Sequence, residues 1–291
     1  MKMTAHYEME PALTSRLVDL NIEQYHEESE HDSSTTIRLF ASSPAHYKAV
    51  REGKMTFKQS DPQRLGSLDH VVLTELEKLE HLVAIKPANL MSEDGGLRTK
   101  EAKLWKFDQE RLGKIVCSQQ ELDEALLLRE AVMANPATRR VIEEATIREQ
   151  SIFWETASHK LKVRVDLGIE LAHEIYDVKR VSTSIDHFWT SVRDYQYGCQ
   201  AALYQDGYES YYHDRPKFFW LLVSPNLRCR VEQCPPELLE AGRHENAKSL
   251  FELNECRAGL RPWLREDDTK VGVLDCPPFM TPAEPSHYES V

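Results

Sequence analysis

The sequence predicts an α/β fold: a mixed central β-sheet flanked by helices, with an N-terminal helical part. Three observations carry that prediction. Before residue 147, apolar residues recur mainly at helical spacing. From 147 to 180 they alternate at strand spacing. After 182, a long helical pattern is followed by two apolar strands and another helix, an order that lays helices against a sheet.

The elements follow in order. Residues 1–35 are polar and hold the acidic run Glu27-Glu28-Ser29-Glu30-His31-Asp32. They are expected to form a flexible segment, with a helix allowed over 17–25. Ser43 and Pro44 suit the N-cap and first position of a helix. Residues 64–76 place Leu65, Leu68, Val71 or Val72, and Leu76 on one side of a helix. Residues 82–116 mix short apolar runs with Gly95-Gly96 and suggest strands and loops. Residues 119–133 and 136–145 suggest two helices, the second opened by Asn135-Pro136. Strands are expected over 147–156, 161–171 and 174–180. In the second, Val163, Val165, Leu167 and Ile169 should face one way, with Lys162, Arg164 and Asp166 opposite. Residues 182–205 predict one long helix, with Thr183 and Asp186 as a variant capping box. Strands at 217–223 and 227–231 and a helix at 236–255 complete the domain, which spans 36–264. The tail, 265–291, holds Pro277, Pro278, Pro282 and Pro285 and is expected to wrap or fray.

The net charge of -12 opposes a general nucleic-acid coating protein. It leaves room for clustered carboxylates that a bound cation neutralises. The six cysteines are scattered without a Cys-x-x-Cys pair, which favours reduced thiols over a zinc ribbon or disulfide framework. No run of about 18 apolar residues suggests a membrane span, and residues 1–20 lack the apolar core of a secretory signal. A cytoplasmic location is the expectation.

Asp177-Val178-Lys179 carries the chemistry. Residues two apart on a strand share a face, so Asp177 and Lys179 project together. A turn near residues 171–173 would lay the preceding strand antiparallel and bring Asp166 beside Asp177. Two carboxylates and an ammonium on one face suit metal-assisted phosphodiester hydrolysis, because carboxylate oxygens are the ligands magnesium prefers. Arg164 shares the face of Asp166 and suits a phosphate contact. Taken alone, Asp-x-Lys is a weak signal.

Its companions sharpen it. The segments Ser43-Pro44-Ala45-His46-Tyr47, Arg64-Leu65-Gly66-Ser67-Leu68-Asp69-His70, Glu149-Gln150-Ser151-Ile152-Phe153-Trp154, Lys162-Val163-Arg164-Val165-Asp166, Asp177-Val178-Lys179 and Gln200-Ala201-Ala202-Leu203-Tyr204 run in that order. Together they resemble the PD-(D/E)xK nuclease superfamily, and within it the RecE-like exonucleases of the exodeoxyribonuclease VIII type. The resemblance implies a restriction-endonuclease-like core. It implies metal ligation by His70, Asp166, Asp177 and the carbonyl of Val178, a catalytic Lys179, and Glu149 as a further acid. Gln200 and Tyr204, four apart on one helix face, would reach DNA or the site edge. Where relatives usually carry Thr or Ser after the lysine, this chain has Arg180, a candidate DNA contact.

The implied activity is a Mg2+-dependent exodeoxyribonuclease, with Mn2+ an alternative ion. It would degrade linear double-stranded DNA from its ends, 5′ to 3′, for recombination with a single-strand annealing partner. A homo-oligomeric ring, a tetramer by resemblance, would thread the DNA. A non-catalytic DNA-binding or assembly module retaining the fold, and an endonuclease of the same superfamily, stand as alternatives. The tyrosines at 195, 197, 204, 208, 211 and 212 offer faces for splayed bases, with ordinary packing the simpler reading.

Overall fold

The computed structural model describes residues 7–56, 61–92, 94–181, 184–265, 268 and 270–271. Its six-stranded sheet comprises β1 (Thr14–Val18), β4 (Ile147–Glu155), β5 (Lys160–Ile169), β6 (Glu174–Arg180), β7 (Lys217–Val223) and β8 (Cys229–Gln233), in the spatial order β1-β4-β5-β6-β7-β8. Only β6 and β7 run parallel; the other neighbours are antiparallel. A parallel pair needs a crossover. Here it is made by α9 (Phe188–Asp194) and α10 (Tyr197–Tyr212). A separate parallel pair joins β2 (Val83–Ile85) to β3 (Ile115–Cys117). The remaining helices are α1 (Ile22–Glu27), α2 (Ser34–Ser42), α3 (Pro44–Arg51), α4 (Asp61–Thr74), α5 (Leu79–Leu82), α6 (Lys100–Arg111), α7 (Gln119–Ala134), α8 (Pro136–Glu144) and α11 (Pro236–Arg257).

The sheet separates two apolar cores. Val163, Val165, Ile175 and Phe218 pack with Ala201 and Leu203 of α10, Leu250 and Leu253 of α11, and Phe40 of α2. Leu167, Ile169, Tyr176 and Val178 pack with Leu68 and Val72 of α4, Leu122 and Leu128 of α7, and Val141 of α8. The fold is thus the predicted mixed sheet flanked by helices.

Several elements differ from the sequence expectation. The single alternation expected over 161–171 breaks at Asp166: Val163 and Val165 face one core, Leu167 and Ile169 the other. Opposite it, Glu149 has φ 47°, a left-handed backbone inside β4, which reverses the alternation of its strand. The long helix expected over 182–205 is divided. Gln196, at φ 51°, breaks the chain between α9 and α10. The cap proposed at Thr183 lies outside the described residues; Ser184 accepts the amide of Asp186 instead. The 82–116 region holds α6, a helix whose face is too polar to announce itself.

Residues 7–35 are not loose. β1 pairs with β4 over its full length, and Asp32 is buried, bonded by Tyr47 Oη at 2.8 Å and Arg257 Nη2 at 2.9 Å, and paired with Arg51. Lys162, expected on the surface, is 4% exposed, with Nζ donating to the carbonyls of Tyr25 and Glu28 at 2.5 Å each. An isolated strand cannot reveal such long-range partners. Among the described residues, no helix is long and apolar enough to cross a membrane. The tail from 272 and Cys276 lie outside the described residues.

Close approach of α10 to α11 depends on two glycines. A Cβ on Gly242 would run into the carbonyl of Gly198 and lie 2.8 Å from the amide nitrogen of Cys199. Backbone atoms cannot rotate aside, so Gly242→Ala should cost about 2–3 kcal/mol of stability. Denaturant unfolding checks this, and an unchanged midpoint would contradict the packing.

Candidate active site

The site lies where the ladder between β5 and β6 stops. The strands pair over Leu167–Ile169 and Glu174–Tyr176. The next facing pair would be Asp166 and Asp177, and there the pairing ends. The amide of Val178 instead donates to Asp166 Oδ2 at 2.7 Å, so a side chain satisfies a backbone donor that the ladder leaves unpaired. The open strands leave both carboxylates beside the helices that cover the sheet.

From α4, His70 enters this notch. Its Nε2 lies 3.1 Å from the Val178 carbonyl, and its Nδ1 lies 3.4 Å from Glu149 Oε1 and 3.6 Å from Asp166 Oδ2. His70, Glu149 and Asp166 each present a ligand atom, all within 4.8 Å of one another. Glu149 gets there through its left-handed backbone, a conformation strained for a residue other than glycine. Three donors then fix its carboxylate: His70, Thr74 Oγ1 at 2.9 Å, and Arg164 Nε at 2.9 Å.

From the other face of the sheet, Asp177 is 1% exposed. Gln200 Nε2 of α10 donates to its Oδ1 at 3.0 Å. Its Oδ2 accepts no aligned hydrogen bond, and the Lys179 ammonium lies 2.6 Å from it. That ammonium also sits over the Tyr197 ring, 4.9 Å from its centre.

A family model described as "PDDEXK-like domain of unknown function (DUF3799)" matches residues 33–262, more than half of the chain. The chain belongs to that family. The PDDEXK-like chain also resembles a solved structure described as "Putative exonuclease" from Eubacterium rectale, at 15% identity and a TM-score of 0.59, covering 89% of this chain and 96% of that one. This likeness concerns the fold. No curated protein matches.

The electrostatics are those of too many charges in a dry place. Burial, reinforced by the charges of Asp177 and Glu149, pushes Asp166 up to about 7 against the pull of His70. Burial opposes a charged His70, but Asp166 and Glu149 overcome it and hold the imidazole at about 10. Burial raises Glu149, but the hydrogen bond from His70 and the charges around it leave it below the usual range. Burial likewise opposes a charged Lys179, and Asp177 more than compensates. The donor set of this PDDEXK-like site, two carboxylates and an imidazole whose ligand atoms lie within 4.8 Å of one another, fits a divalent cation.

The structure gathers His70, Glu149 and Asp166 at the Val178 carbonyl, while Asp177, paired with Lys179, stands outside that group of ligand atoms and is felt by Asp166 through its charge. Gln200 reaches the site through Asp177. Tyr204 packs on α10 edge-on to Phe218 at 6.2 Å, under the field of Asp166 and Asp177. Two expected DNA contacts are engaged inside the protein. Arg164 is 7% exposed and bonds Glu149, the Leu20 carbonyl at 2.6 Å and Ser151. Arg180 pairs with Asp69 at 2.5 Å, and Asp69 is raised by its burial. Sequence reading missed Thr74 and Asp69. Thr74, four residues after His70 on the same helix face, was within reach of spacing. The Leu20 carbonyl was not.

Proposed function

We propose that this protein is a divalent-metal-dependent exodeoxyribonuclease acting on the ends of linear duplex DNA. The observation that carries it is the meeting of His70, Glu149 and Asp166 beside the Asp177–Lys179 pair. His70, Glu149, Asp166 and Asp177 would hold Mg2+ or Mn2+. The carboxylate oxygens suit the harder Mg2+, and the imidazole is equally acceptable to Mn2+. The cation would supply Lewis-acid polarisation of the phosphoryl oxygens.

The chain's own residues then have separable tasks. Asp177 keeps Lys179 protonated, which supports a role in balancing developing phosphoryl charge rather than removing a proton. Gln200 holds Asp177 in one rotamer, and Thr74 and Arg164 hold Glu149. Family membership and the fold of the exonuclease-like neighbour support hydrolysis of DNA. The RecE-like segments support end-dependence, 5′-to-3′ polarity, a ring-shaped oligomer and an annealing partner.

Incubation with linear duplex DNA tests the reading. Mg2+ or Mn2+ should release nucleotides, EDTA should stop release, and covalently closed circular DNA should survive. Failure of folded protein to cleave with either ion would overturn catalysis. Linearisation of the closed circle would favour an endonuclease.

A further inference from the structure

Beyond the carboxylates, an aromatic ladder runs from Lys179 to the surface. Tyr197, beneath the lysine ammonium, stacks on two rings. Phe188 lies 5.9 Å from it at 28°, and is itself buried edge-on against Trp220. Tyr195 lies 5.6 Å from Tyr197, also at 28°. Phe188 is 8% exposed and Tyr195 59%. The ladder is therefore anchored in the core at one end and open at the other.

The backbone is bent to build it. Gln196, between the two tyrosines, adopts φ 51° and provides no side-chain cap to α10. A left-handed non-glycine residue is tolerated when its surroundings impose it, and such residues concentrate at functional sites. Arg38 Nη1 donates to the Tyr195 carbonyl, so a guanidinium stands at the same rim. The neighbouring exposed side chains include Arg193 and Asp194, paired with each other, which makes the rim polar rather than an apolar dock. An aromatic ring stacked on its neighbour yet 59% exposed suits a flat partner. Every nucleobase has a flat face, and a cation nearby suits the attached phosphate.

We propose that Tyr195 is a stacking platform for an unpaired nucleobase at a DNA end, placed beside the phosphodiester that Lys179 would meet. This rests on the DNA-nuclease reading above and adds what it lacks, a contact to the base. A base on Tyr195 would be held by a ladder continuous with the lysine, so stacking and positioning of the phosphate are coupled through Tyr197.

The probe is a linear duplex with a frayed end carrying 2-aminopurine as its terminal base, bound to full-length protein in EDTA so that no cleavage intervenes. Wild-type protein should quench the fluorescence. Tyr195→Ala should lose the quench and raise the Kd by about 5- to 150-fold, the range of one base–aromatic stack. Tyr195→Phe should keep both, because the ring and not the hydroxyl makes the contact. Undiminished quenching and affinity in Tyr195→Ala, or equal loss in Tyr195→Phe, would overturn the proposal. Metal-dependent cleavage of linear DNA by wild-type protein, measured alongside, separates the two levels. If cleavage is present and Tyr195→Ala binds normally, only the platform fails. If wild-type protein neither binds nor cleaves DNA, the nuclease reading fails with it.

Discussion

Replacing Lys179 by alanine should lower metal-dependent cleavage of linear duplex DNA by about 10²- to 10⁴-fold, the scale of one positioned ionisable group. The ammonium pairs with Asp177 and sits over Tyr197, so its removal takes away the positive charge placed at the site. Truncation leaves the buried Asp177 carboxylate without its cation, which costs some stability. Circular dichroism and unfolding should accompany the kinetics for that reason. Lys179→Arg keeps the charge but not the compact ammonium, and should recover stability more fully than rate. A folded Lys179→Ala protein cleaving at the wild-type rate would remove the lysine from the proposed mechanism.

Metal uptake should release protons and strengthen as pH rises. Without metal, His70 holds its proton up to about pH 10, and Asp166 titrates near 7. Both must be deprotonated to act as ligands, so protons compete with the cation. Each proton displaced weakens binding by about tenfold per unit of falling pH. Between pH 8 and 6 the competition at Asp166 joins that at His70, and the dependence steepens. Calorimetric titration with Mn2+ in buffers of different ionisation enthalpy reads the proton count directly. His70→Ala should flatten the pH dependence even where it weakens affinity. A pH-independent affinity across this window would mean that these two groups do not hold the ion.

The strain at Glu149 bears on the second of these experiments, because Glu149 stands with His70 and Asp166. A residue bent into the left-handed region would relax unless held. His70 and Thr74 hold it from α4, and Arg164 from β5. Arg164 is in turn tied to the Leu20 carbonyl, so the N-terminal segment stands behind the site rather than apart from it. An arginine expected at phosphate serves here to aim a carboxylate.

Much of this was legible in the chain. The apolar alternation on either side of Asp166 marked its strand, because period-two patterning is local, although the pattern changes face at Asp166 itself. The Asp177-x-Lys179 spacing put both side chains on one face for the same reason. The ordered short segments located His70, Glu149 and Gln200. Other features left no local trace. β1 adds to the sheet edge by pairing with a strand more than a hundred residues away. The break at Gln196 interrupts a pattern that remains helical on both sides. Lys162 looks like any surface lysine until the carbonyls of Tyr25 and Glu28 close over it.

By itself, then, the sequence determined the fold class, most of the helices and strands, and the residue types of the site. These follow from periodicity and side-chain chemistry, which act between near neighbours. The tertiary structure alone decided where β5 and β6 part, why Glu149 turns toward His70, and that Arg164 and Arg180 are occupied within the protein. Those depend on partners brought together only by folding, where burial strengthens every charge interaction and leaves each polar group in need of a specific mate.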